Sequence, residues 1–164
     1  MDISRALAEA IAGTPVHASA LYLLSNVPGA PPIVQTVHLL SISAIMGSAV
    51  LLNLRILGLA LRSQPAGELV QRLMPWTWTA LPLNAVSGLV FIMAQPHRYF
   101  DNPMFQLKFS LLAPAIVLAV IIQRRRTFDG PVAKGLALLS LTLWIGVVMA
   151  GRWIAYVDYL WPVE

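Results

Sequence analysis

The chain has no cysteine. That excludes disulfides, thiolate metal sites and cysteine nucleophiles. It is also poor in charge: 11% of its 164 residues are Asp, Glu, Lys or Arg, against about 25% in a typical soluble domain. Acids number seven and histidines three. The acids fall mostly in loops and tails, so paired-carboxylate chemistry has no support inside the apolar segments. No Gly-x-Ser-x-Gly, P-loop, His-Glu-x-x-His or dinucleotide fingerprint occurs, and no repeat of about 20 to 50 residues is visible. The balance is therefore against an enzyme.

What the chain does have is apolar sequence. Residues of that class make up 58%, and the mean hydropathy is +0.73. A small domain has too much surface to hide such a fraction in one core; lipid is the alternative solvent. The formal net charge of +4 raises the question of nucleic acid. The basic residues flank apolar runs and form no stripe, so no nucleic-acid partner is expected.

The apolar pattern predicts an all-α fold: a four-transmembrane-helix bundle preceded by an N-terminal interfacial helical segment. Residues 1–32 are too broken to span a bilayer and have no signal-peptide pattern. Ile3, Leu7, Ala10 and Ile11 recur at helical spacing, with Arg5 and Glu9 opposite. Thr14-Pro15 reads as an N-cap followed by Pro at the first helical position, and residues 26–32 read as a Pro/Gly turn. These are expected to be one or two helices lying on the membrane. A span needs roughly 20 apolar residues, and residues 33–164 offer four, at about 33–61, 74–94, 104–123 and 132–157. Pro65 to Arg72 reads as a polar loop, Pro75 as a helix start, and Pro82 and Pro114 as mid-span kinks. Trp76, Trp78, Tyr156, Tyr159 and Trp161 suit an interfacial belt.

Basic residues set the expected orientation. Arg62, Arg72, Arg124, Arg125, Arg126 and Lys134 fall on the side of the first and third loops; Arg5, Arg98 and Arg152 fall on the other. The positive-inside rule then puts both termini on the non-cytoplasmic side of a bacterial inner membrane.

Ionisable groups inside spans are functional candidates by default. His38 lies five residues into the first span, roughly 8 Å along the helix. Lys108 is four residues into the third, and Arg152 is close to the outer end of the fourth. Three titratable groups from three helices thus share a depth and are expected to line one outward-opening polar cavity, with Asn84 and Tyr156 as further ligand-binding candidates. Each also has a plainer role: His38 as a hydrogen-bond partner across helices, Lys108 and Arg152 as snorkelling cations, Arg152 as a partner of Asp158. Arg55 reads as a snorkelling end residue, and His17 and His97 as solvated. Met46, Met93, Met104 and Met149 read as packing. Gly47, Ser48, Gly146, Ala150 and Gly151 read as sites of close helix approach.

Two stretches carry a resemblance. Val37-His38-Leu39-Leu40, followed by Met46-Gly47-Ser48 and Leu54-Arg55-Ile56-Leu57-Gly58, resembles the first span of small four-span bacterial integral membrane proteins catalogued as a domain of unknown function. Trp144-Ile145-Gly146 followed by Gly151-Arg152-Trp153-Ile154-Ala155-Tyr156 resembles their last span, and Asn102-Pro103, Phe105 and Lys108 fit their entry into the third. The resemblance covers nearly the whole chain. It implies a fold and a membrane location but no activity; Asn53 stands where that pattern often has Asp. A span-one His followed by glycine is also distantly similar to copper-resistance D-type membrane proteins.

Three functions compete. The first is an accessory subunit of a membrane complex, or a small-solute and anion handler with Lys108 and Arg152 attracting a carboxylate or phosphate; a homo-oligomer is compatible with either. The second is a b-type haem or quinone-linked electron-transfer protein, with His38 as axial ligand and Lys108 and Arg152 on the propionates. It must recruit a second ligand such as His97. The third is copper handling by His38 with Met46, Met104 or Met149.

Overall fold

The computed structural model describes residues 3–157, and over these the protein is all-helical. Two short helices, α1 (Ile3–Ala12) and α2 (Pro15–Asn26), precede α3 (Ala30–Leu57), α4 (Ala66–Ala94), a one-turn α5 (Pro96–Phe100), α6 (Pro103–Arg124) and α7 (Pro131–Trp153), which ends in a 3-10 turn, Ile154–Tyr156. The long helices α3, α4, α6 and α7 are long and apolar enough to cross a membrane. Helix α3 packs on α4 and α7, α6 packs on α7, and α1 and α2 cover the end of the bundle where α4 meets α5. Tyr159, Trp161 and Asp158 lie outside the described residues.

Local chemistry explains the ends. Thr14 caps α2 as its sequence suggests, its hydroxyl accepting from the His17 N–H at 3.3 Å. Helix α3 starts earlier than expected because Pro31 and Pro32 occupy its first turn, where a missing N–H costs nothing. It ends at Gly58, whose positive φ of 77° makes a left-handed C-cap. Residues 59–61 therefore leave the first span.

The larger correction is α4, which begins at Ala66 rather than Met74. Most of the loop expected at Pro65 to Arg72 is helix. Glu68 sits in the first turn and reaches Arg72 one turn on at 3.7 Å, while Ala66, Leu69 and Val70 are buried. Those buried residues hold the polar turn in the bundle, and Pro75 and Pro82 lie inside a continuous helix. Helix α6 likewise runs through Pro114.

The bundle is held by two apolar clusters. One joins Leu52, Ile56, Leu69, Met74 and Ile122 at the end carrying the α3–α4 and α6–α7 loops. The other joins Ile45, Ala49, Ala80, Ala115 and Trp144. Buried positions run to Ala, Ser, Asn and Thr, while Leu40, Val86, Val117 and Leu138 are exposed. No more than a third of the most apolar window of any long helix is buried within the bundle.

Candidate functional site

The end of the bundle beneath α1, α2 and α5 brings polar groups of α3, α4 and α6 together. His38 on α3 faces α4. Its Nδ1 lies 2.9 Å from the Ser87 hydroxyl oxygen, and Asn84 Nδ2 donates to the His38 carbonyl at 3.1 Å. The Ser87 hydroxyl donates back along its own helix to Leu83 O at 2.7 Å. It also lies 3.1 Å from Asn84 O, and Asn84 Nδ2 lies 3.4 Å from His38 Nδ1. Nδ1 donates to the serine oxygen in one tautomer and accepts from the serine hydroxyl and the carboxamide in the other. Gly88 makes room for the ring: a Cβ there would stand 3.2 Å from His38 Cε1.

Lys108 reaches the same region from α6. Its stem lies along Gly151 of α7, where an added Cβ would meet Cδ, Cε and Nζ at 3.6 to 3.7 Å. The side chain is half-buried and its ammonium is within electrostatic reach of His38. Among the described residues it has no acidic partner; the two ion pairs found there are Glu68–Arg72 and Asp101–His97. The shared depth groups His38, Lys108 and Arg152; the structure brings His38, Asn84 and Lys108 into one neighbourhood.

Arg152 and Tyr156 form a separate pair. The guanidinium donates to the Tyr156 hydroxyl at 2.9 Å and stacks 5.0 Å from the ring centroid. Both side chains are exposed, and no contact among the described residues joins Arg152 to His38 or Lys108. The two other histidines serve the cap. His17 Nδ1 donates to Met93 O at 2.8 Å, satisfying a carbonyl in the last turn of α4. His97 Nδ1 lies 3.7 Å from Asp101. Neither is brought to His38. Met46 packs against the apolar cluster around Ile45 and Met149 is exposed. No group of three His, Asp or Glu side chains suited to a metal occurs among the described residues.

The contacts of two residues escaped the sequence reading, which names Asn102 only for its resemblance to the family's entry into the third span. Ser87 is one: a helical serine ordinarily bonds its own backbone, so only Asn84, one turn earlier, signals that face. Asn102 is the other. It caps α6, accepting from Met104 N at 2.9 Å, and donates to Ile154 O at 3.0 Å. It thereby ties the start of α6 to the end of α7, beside Lys108. Near it, Phe105 meets Tyr99 and Phe100 edge-on with centroids 5.7 Å apart. Burial raises the Tyr99 phenol above its usual range, with the Arg98 guanidinium acting in the opposite sense.

No curated protein and no solved structure matches the chain. One family profile does, described as "Family of unknown function (DUF6644)", over residues 29–157. The match takes in all four long helices and every side chain of the His38 neighbourhood, leaves out α1 and α2, and offers no support for the copper-resistance resemblance. The chain belongs to this family of unknown function, DUF6644.

Proposed function

We propose that the protein is a multi-pass membrane protein that binds a small anion, a carboxylate or phosphate, between α3, α4, α6 and α7. One observation carries the reading: the Lys108 ammonium is half-buried beside His38 with no acidic partner among the described residues. An uncompensated charge away from water is costly, and a bound anion removes that cost. His38 Nε2 would complete the site, donating to an oxygen of the solute as Nε2–H or accepting from a solute hydroxyl in the other tautomer. Arg152, exposed on Tyr156, suits an entry position and is not a direct ligand in this reading.

The membrane location is supported by the outward-facing apolar surface. The side is supported by the basic residues Arg62, Arg72, Arg124, Arg125, Arg126 and Lys134, which crowd the end opposite His38. We therefore place the site toward the non-cytoplasmic face of a bacterial inner membrane. An accessory subunit remains compatible with this surface. The haem and copper readings gain nothing, since no second imidazole is brought to His38 and Met46 is engaged in packing.

The test is a thermal melt of the protein in neutral detergent with chloride, acetate and phosphate salts at equal ionic strength. Binding to the native state stabilises by about 2.7 kcal/mol at a hundredfold excess over Kd. A saturable rise in Tm with acetate or phosphate is expected in wild type and in Arg124→Gln, and not in Lys108→Gln. Equal responses of wild type and Lys108→Gln would overturn the reading.

A further inference from the structure

A second polar cluster lies deep in the bundle, toward the opposite end. Asn53 is fifteen residues beyond His38 on α3, about 22 Å further along the axis. Asn53, Thr77 of α4 and Ser140 of α7 are almost wholly buried, at 2%, 2% and 1% exposure. They line a small cavity of about 10 Å³ whose other walls include Met74, Ile122 and Trp144.

The hydrogen bonds within the cluster do not close. Asn53 Nδ2 donates to Ser140 Oγ at 3.2 Å. Asn53 Oδ1 and Thr77 Oγ1 have no partner, and no acceptor for the Ser140 hydroxyl proton is found among the described residues. Turning the carboxamide over would only exchange an unpaired carbonyl for an unpaired N–H. Buried polar groups this deep are rarely left so, least of all between helices whose outer faces are apolar.

We infer that the cavity binds one ordered water molecule that joins α3, α4 and α7. A single water needs about 10 to 15 Å³ of such space and typically makes about three hydrogen bonds. This one donates to Asn53 Oδ1, exchanges a bond with the Thr77 hydroxyl and accepts from the Ser140 hydroxyl. A metal cation is the poorer occupant, because no acidic side chain lines the cavity to balance its charge. An empty cavity would need apolar walls throughout. The site is independent of the anion reading, since it shares no residue with the His38 neighbourhood.

The experiment is solid-state NMR of the full chain, labelled at asparagine with ¹⁵N, in phosphatidylcholine vesicles. Magnetisation is transferred from water to side-chain amides. Asn53, identified by the signal missing in Asn53→Leu, is expected to receive it despite being buried. In Thr77→Leu, whose larger apolar side chain fills the cavity, the transfer to Asn53 is expected to fall at least fivefold. Absence of transfer in the wild type, a measurement that needs no variant to fold, would overturn the inference. So would undiminished transfer in a folded Thr77→Leu protein.

Discussion

His38 was legible as a candidate because an imidazole inside an apolar run has few reasons to be there. What the run alone could not give is the ring's partners, Ser87 and Asn84 of another helix. Two predictions belong here. Gly88→Ala puts a methyl group 3.2 Å from His38 Cε1, so the ring must move or the helices must part. Overpacking of this kind costs about 1 to 3 kcal/mol, and a melt in detergent should show that loss together with a weakened anion response. At Tyr99, burial lifts the phenol pKa. Stability contributed by the neutral phenol is complete below the unfolded tyrosine value, about 10, and is lost as pH rises from there through the folded value. Tyr99→Phe should accordingly flatten the alkaline fall in Tm; an unchanged fall would show that Tyr99 does not titrate late. Depth along a helix groups His38 with Lys108 and Arg152. It says nothing of azimuth, which is why Arg152, at the same depth, points to Tyr156 instead.

Helix existence was readable from apolar runs, whereas helix ends followed from caps and tertiary burial. Thr14-Pro15 is a local signal, and α2 starts there. The start of α4 carries no such signal: Gly67, Glu68, Gln71 and Arg72 look like a loop, and only the burial of Ala66, Leu69 and Val70 against α3 and α7 makes them helical. Asn102 is the element-scale residue of most consequence. It supplies an N-cap, worth about 0.5 to 2 kcal/mol, and a partly buried hydrogen bond to the turn that ends α7, worth about another 1 kcal/mol. Asn102→Ala should therefore destabilise the protein by about 1.5 to 3 kcal/mol in reversible unfolding from micelles. Thr14→Ala, which removes one cap from α2, should cost about 1 kcal/mol. If the two cost the same, the link between α6 and α7 is not holding the bundle end.

On the scale of the whole molecule, many large apolar side chains face out. Leu40, Val86, Val117 and Leu138 are exposed, while alanine and serine occupy many helix contacts beside Leu52, Ile56, Leu69 and Ile122. Small residues at helix contacts are what close packing requires when the surroundings are as apolar as the core. The absence of cysteine makes the arrangement directly measurable with single cysteines and a membrane-impermeant maleimide on intact spheroplasts. Asp101→Cys, near the His38 end, should label at once, and Thr127→Cys, in the loop after α6, only after lysis. Val86→Cys, on the exposed face of α4, should label in neither state until the membrane is dissolved. Rapid labelling of Val86→Cys in intact membranes would mean that water, rather than lipid, covers the outer face of the bundle, and would contradict the account.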